Sequence, residues 1–141
     1  MLGPSGPARA GIGDSPLPAF SDGKPAQLVA QIAGVIKVNE LDTDVICTNV
    51  SAAPQDVGVQ VFDQSGALRN DFAANTNGEF LNVPVGATVS VGTSATELLH
   101  EDQTLTLNGA GTGVNQLRNG TARVVATSRQ IGCVAFVVDK F

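Results

Sequence analysis

The sequence predicts an all-β fold, a two-sheet antiparallel β-sandwich preceded by an irregular Gly/Pro-rich N-terminal arm. Short runs rich in Val, Ile and Thr recur along the chain, and these residue types favour strands. Apolar and polar residues alternate within several of the runs, as they do in strands with one buried face. Turn-forming residues separate the runs at a spacing of roughly 8 to 15 residues, which is typical of sandwiches and barrels.

The clearest strand is Val57–Asp63, in which valines occupy every second position up to Val61. Alternation places these valines on one face, so we expect a half-buried strand. The run ends at Asp63-Gln-Ser-Gly66, where Asp can bond the turn backbone and Gly accepts a positive φ before an apolar run resumes. This segment is the strongest hairpin signal in the sequence.

The same reasoning gives nine candidate strands, with turns predicted at Asn77-Gly78, Val83–Gly86 and Asn108-Gly109. Segment Ser94–Asp102 begins with a capping-box match, which predicts a helical turn or two. The candidate strands are 28–38, 44–50, 57–63, 68–72, 80–83, 87–92, 104–108, 121–127 and 131–138.

The last two candidates predict a terminal hairpin. Ala122, Val124 and Ala126 take every second position of 121–127, whereas 131–138 is an almost continuous apolar run. A continuous run is typical of a strand covered on both faces. We therefore expect 131–138 to be central in its sheet.

Residues 1–26 form the predicted arm, and residues 27–141 form the predicted sandwich domain. Glycines and prolines interrupt the arm up to Pro25 and prevent a regular hydrogen-bond ladder. An arm of this composition becomes ordered only by lying against its own domain or a neighbouring subunit. Leu17 and Phe20 are the apolar residues expected to anchor it.

Cys47 and Cys133 both lie in strand-like runs. No Cys-x-x-Cys pair or second histidine accompanies them, so a metal site built on these sulfurs is not expected. The remaining interpretations are a disulfide or two buried free thiols, and we favour the disulfide. A loop of this length would stabilise the fold by roughly 4 to 5 kcal/mol in the chain-entropy model, and the bond would indicate an oxidising compartment.

The segment Cys47-Thr-Asn-Val50, followed by Val57-Gly-Val-Gln-Val-Phe-Asp63-Gln-Ser-Gly66, resembles the early hairpin of immunoglobulin-like or fibronectin-like modules of bacterial surface and secreted proteins. The resemblance implies an immunoglobulin-like sandwich that serves as an adhesive, structural or spacer unit. The chain departs from the antibody-type pattern, because it has no Trp for the next core strand and no Tyr for the corner.

Composition argues against several partners. The 8 basic residues are scattered and are outnumbered by 13 acidic ones, giving a net charge of -5, whereas a nucleic-acid binder needs a clustered basic face. No apolar stretch is long enough for membrane insertion, and Met1–Phe20 lacks the charged and apolar regions of a secretory signal. The chain is therefore either not exported or a form from which the signal has been removed.

Candidate sites for chemistry are few. His100 is the single histidine, so a nucleophile would lack the usual base and orienting group. Glu40, Asp42 and Asp44 would point the same way in an extended chain and are the oxygen ligands that Ca²⁺ prefers, but the full loop pattern is missing. We favour a solvated acidic turn there, and expect neither catalysis nor a cofactor.

These observations predict a non-catalytic structural or assembly subunit of an extracellular or surface structure, such as a filament, coat or surface layer. The arm is the candidate for the subunit contacts, because an extended segment can add a strand to the exposed edge of a neighbour's sheet. The partner would be another copy of the chain or another protein. The alternative is a secreted adhesion or ligand-binding module.

Overall fold

The computed structural model describes residues 12–72, 77–97, 99–107 and 116–141. This part of the chain contains eight strands and no helix, which confirms the predicted all-β class. The strands are β1 (Gln27–Val38), β2 (Leu41–Asn49), β3 (Gln55–Phe62), β4 (Glu79–Val83), β5 (Thr88–Gly92), β6 (Gln103–Thr104), β7 (Leu117–Ala126) and β8 (Ile131–Asp139).

The strands form one continuous curled sheet, in the order β4-β3-β7-β1-β2-β5-β6, with β8 on the other side of β2. The prediction of a clear two-sheet antiparallel sandwich is therefore wrong, because the strands belong to a single sheet. The sheet is also mixed, since β5 and β6 run parallel. The long strand β1 joins the two halves. It pairs with β7 over most of its length and then enters a tight turn into β2, with three register irregularities on the way. Such irregularities bend a strand and let the sheet curl.

Most candidate strands appear within a few residues of their predicted bounds, with two exceptions. Candidate 68–72 is reduced to an isolated bridge between Phe62 and Leu68. Candidate 104–108 is reduced to β6, with residue 108 outside the described part. The predicted turns at Gly78 and Gly86 are present with positive φ, whereas Asn108-Gly109 lies outside the described residues. The expected helical turn in 94–102 is not formed by its described residues.

The predicted terminal hairpin is wrong. Strand β7 pairs with β3 and β1 and is the central strand, whereas β8 pairs with β2 alone in the part of the chain that the structure describes. The connection crosses to β2, where the Val50 amide donates to the Gln130 carbonyl. The continuous apolar run therefore marks an edge strand, because apolar sequence reports side-chain type and not the number of neighbouring strands.

The main core lies on one face of the sheet, the inner face, and valines dominate it. The predicted inward valines of β3 are buried there, together with Ala122, Val124 and Ala126 of β7. The opposite face of β3 is buried as well, which corrects the half-buried expectation. Other chain segments cover that outer face, where Phe20, Ala26, Phe72 and Val125 form a second apolar cluster.

Candidate functional site

Arg123 fixes the described part of the arm to the outer face of the sheet. Its guanidinium donates to the backbone carbonyls of Ile12, Ser15 and Pro16 at 3.2, 2.8 and 3.0 Å. Nε and Nη2 also donate to Gln60 Oε1 on β3, and the group lies 5.3 Å from the ring centre of Phe62. Because Arg presents five donors in a rigid fork, one side chain can hold several carbonyls.

Apolar contacts continue the attachment. The rings of Phe20 and Phe72 stack with centroids 5.9 Å apart, an arrangement that adds stabilisation beyond burial. A Cβ on Gly58 would overlap the ring of Phe72. The glycine in β3 therefore lets the ring lie directly on the strand.

Two buried carboxylates complete the attachment. Glu79 accepts hydrogen bonds from the amide and the hydroxyl of Ser21 at 2.7 and 2.9 Å. Asp56, fully buried, accepts a bond from Lys24 Nζ at 3.2 Å. Charge-assisted bonds of this kind are stronger than neutral ones. The arm from Ile12 onward is thus bound to its own domain.

The two predicted anchor residues of the arm differ in exposure. Phe20 is only 3% exposed and belongs to the outer cluster of its own domain, whereas Leu17 is 45% exposed. Phe20 therefore packs within its own chain, and of these two residues only Leu17 exposes an apolar side chain to other molecules.

The cysteines form the predicted disulfide. Cys47 of β2 lies directly opposite Cys133 of β8, and their sulfurs are bonded across 86 residues of sequence. The bond joins neighbouring strands of one sheet. It fastens β8 to the rest of the domain, because β2 is the one described strand that pairs with β8.

The free side of β8 is defined by the register. The Cα atoms of Cys47 and Cys133 are 4.2 Å apart, the spacing of a non-hydrogen-bonded antiparallel pair. Even-numbered positions bond to β2, as the flanking bonds of Gln130 and Lys140 also show. The backbone groups of Cys133, Ala135, Val137 and Asp139 consequently point away from β2, where the described residues offer no strand.

This free edge is long and apolar. Strand β8 has nine residues and no charged residue or proline before Asp139. Val134 is 55% exposed and Val137 50% exposed. Native edge strands are usually short or carry charges or prolines that block pairing. Strand β8 has none of these features before Asp139, so its edge is a candidate interface with another polypeptide chain.

A second polar cluster lies between β2 and the segment that follows β5. Asp42 and Asp44 are almost fully buried, and three of their four carboxylate oxygens accept no hydrogen bond from a described residue. Asp42 Oδ2 lies 3.8 Å from Lys140 Nζ. Gly92 leaves room for the cluster, because a Cβ there would crowd Asp44 Oδ1, the Ser94 carbonyl and Glu101.

The carboxyls of this cluster differ in proton affinity. The pKa of Asp44 is raised from 3.8 to about 7, chiefly by burial and then by Glu101 and Asp42. Burial also raises the pKa of Asp42. Burial opposes ionisation of Glu101, but hydrogen bonds from Thr96 outweigh it and hold the pKa of Glu101 below its usual value. Asp44 is therefore suited to keep a proton that it shares with Glu101.

The predicted cation candidates are not brought together as a set. Asp42 and Asp44 share the buried cluster, whereas Glu40 is exposed in the turn before β2. Within the described ranges, no three His, Cys, Asp or Glu side chains form a group that could hold a metal ion. His100 is exposed beside the cluster, with a positive φ of 49°.

Sequence reasoning missed two of these residues. Arg123 breaks an apolar run on β7 and lies opposite Gln60 of β3; a single Arg in a buried strand indicates a specific partner. Glu101 gave no local signal, because its contact with Asp44 spans 57 positions of sequence and depends on the path after β5.

Comparisons of the chain with family models, curated proteins and solved structures returned no match. Within the described residues, no helix is long and apolar enough to cross a membrane. Fold and site together define the class: a disulfide-bonded all-β domain in which the arm from Ile12 onward is bound to the sheet and in which β8 carries a long apolar edge that no described strand covers.

Proposed function

We propose that this chain is a non-catalytic structural or assembly subunit that associates through the free edge of β8. The observation that supports the proposal most directly is the unpaired apolar edge of a nine-residue strand. Unpaired N–H and C=O groups along such an edge are a template for a strand from another chain. Pairing would satisfy these groups and cover the exposed valines.

The proposal moves the subunit contact from the arm to β8. The sequence suggested the arm as the contact. In the structure, however, Phe20 of the arm packs into the outer cluster of its own domain, and Arg123 holds the arm's backbone carbonyls. The described part of the arm covers the outer face of β3 and β7, which belong to the half of the sheet that lies away from β8. Leu17 remains as a secondary contact of the arm.

An extracellular or cell-surface location belongs to the same proposal. The Cys47–Cys133 bond supports an oxidising compartment. The likeness of Cys47–Val50 and Val57–Gly66 to immunoglobulin-like modules of bacterial surface and secreted proteins points to the same setting, since those modules serve mainly as adhesive or structural units. In this chain these stretches form the end of β2, strand β3 and the Asp63 turn, but β2 and β3 do not pair with each other as the two strands of a hairpin would.

The alternative function is a secreted adhesion or ligand-binding module. A groove of about 520 Å³ between β4 and β5, lined by Phe80–Pro84 and Ala87–Val89, favours it. Its volume lies within the range of small-molecule sites, roughly 300 to 1,000 Å³. A protein that stays monomeric and binds a soluble ligand through Phe80 would fit this alternative.

The test compares Val134→Lys with Val85→Lys by light scattering over a range of concentrations. Val134 lies on β8 and Val85 in the turn after β4, and their exposures are 55% and 54%. A lysine on the edge of a sheet blocks strand pairing. We expect Val134→Lys alone to abolish association, with both variants folded by circular dichroism. Oligomers that survive Val134→Lys, or a wild-type protein that is monomeric throughout, would contradict the proposal.

A further inference from the structure

The free edge of β8 also has features that favour one particular binding partner. We propose that a second copy of this chain pairs its own β8 antiparallel to the first, about a two-fold axis at Val134. The inference rests on the proposed function and adds both the partner and the register. Two-fold pairing is the simplest closed association of identical chains, because the same patch serves on both.

Backbone geometry allows this axis. Val134 bonds to β2, so on the free side it occupies a non-hydrogen-bonded position, where facing residues have Cα atoms about 4.5 Å apart. An axis there places Cys133 opposite Ala135 of the second copy and Val137 opposite Ile131. All of these residues are odd-numbered and direct their backbone groups outward, so every pair can exchange two hydrogen bonds.

Side chains on the outer face fit the same register. Val134, which is 55% exposed, would lie against its own copy. Phe136 would lie over Gly132 of the second chain. A Cβ built on Gly132 meets no atom within 4 Å, so the space above this glycine is open. An aromatic ring opposite a glycine is a favourable cross-strand pair in sheets.

Charge supports the register at both ends. Asp139, the last residue of β8, would lie across from Arg129 of the second copy, which stands in the bend two residues before β8 begins, and the two-fold axis repeats the pair. Both residues are exposed, and neither has an ion pair with a described residue. Shifting the axis to Ala135 would instead place Asp139 opposite Ile131 and leave the charges unmatched. Opposite charges facing each other across strands stabilise pairing, and like charges oppose it.

The test is cross-linking of single-cysteine additions. Val134→Cys places two thiols opposite each other at the axis, within the Cα separation of 4.4 to 6.8 Å that a disulfide needs. Val137→Cys is the matched control, because Val137 is 50% exposed on the same strand but would lie about six residues from its own copy, roughly 20 Å away. Peptide mapping checks that Cys47–Cys133 stays intact.

We expect mild oxidation to give about ten-fold more covalent dimer from Val134→Cys than from Val137→Cys. Equal cross-linking, or cross-linking of Val137→Cys alone, would overturn the register while association through β8 stands. Oligomers that Val134→Lys dissociates but Val134→Cys does not cross-link would also overturn it. If neither variant cross-links and the wild type is monomeric, the result contradicts the proposed function as well as the register.

Discussion

Cys47 and Cys133 face each other on neighbouring antiparallel strands, and their bond fastens an edge strand to the sheet. Among the described strands, β2 alone pairs with β8, and it does so on one side. A strand in this position would fray readily, because few contacts oppose its opening. The disulfide keeps the edge in place and so preserves the surface on which we base association.

Replacing both cysteines by alanine tests this role. The double variant Cys47→Ala/Cys133→Ala should lose roughly 2 to 5 kcal/mol of unfolding free energy, because the unfolded chain is no longer closed into a long loop. Urea unfolding measures the loss, and hydrogen exchange should show faster exchange at Val134 and Phe136. Reduced wild-type protein serves as the control and should match the variant. Unchanged exchange in β8 would contradict the role.

Arg123 is expected to hold the arm. Arg123→Ala removes the donors to Ser15 and Pro16 and leaves Gln60 without its partner, so the cost should be about 2 to 4 kcal/mol. Limited proteolysis should then cut the arm before Phe20. Arg118→Ala, on the same strand but exposed, is the control and should change stability by less than about 0.5 kcal/mol. An arm that resists protease equally in both variants would refute this prediction.

The packing of the Phe72 ring on β3 is expected to require a glycine at position 58. Gly58→Ala introduces a Cβ that overlaps this ring, and such overpacking should cost about 1 to 3 kcal/mol. Gly132→Ala is the control, because the corresponding space on β8 is empty. Thermal unfolding of dilute protein should separate the two variants. Equal midpoints would show that Phe72 moves aside without cost.

The raised pKa of Asp44 predicts that the free energy of unfolding depends on pH. Its pKa in the folded protein is about 7, against an ordinary value of 3.8, so between these values the folded state keeps a proton that the unfolded state releases. Stability should therefore fall as pH rises from about 4 to about 7 and then level off. Asp44→Asn should remove this slope and raise stability at pH 8 by on the order of 2 kcal/mol.

The matched control for Asp44 is Glu40→Gln, which neutralises an exposed carboxylate in the preceding turn. Its unfolding free energy should follow the wild-type pH profile. Urea unfolding at intervals between pH 4 and 8.5 provides the measurement. If Asp44→Asn keeps the wild-type slope, the buried carboxyl is ionised throughout and Asp44 does not share a proton with Glu101.

Local features of the fold could be predicted from the sequence. Alternating valines located β3, the Asp63-Gln-Ser-Gly66 turn formed as expected, and the two cysteines in strand-like runs formed a disulfide. Each of these rests on residues close together in sequence or on the pairing of just two sulfurs. Periodicity therefore determined which segments are extended and which of their side chains face the core.

Only the tertiary structure decided how those segments are arranged. The sequence placed 131–138 at the centre of a sheet, but this strand became an edge while β7 became central. Arg123 and Glu101 acquired their roles from chain segments far away in sequence. The alternation of apolar and polar residues indicates which way each side chain points from its own strand. Which strands lie beside each other depends instead on pairing between segments far apart in sequence. That pairing decided that the described part of the arm is bound and that no described strand covers the second side of β8.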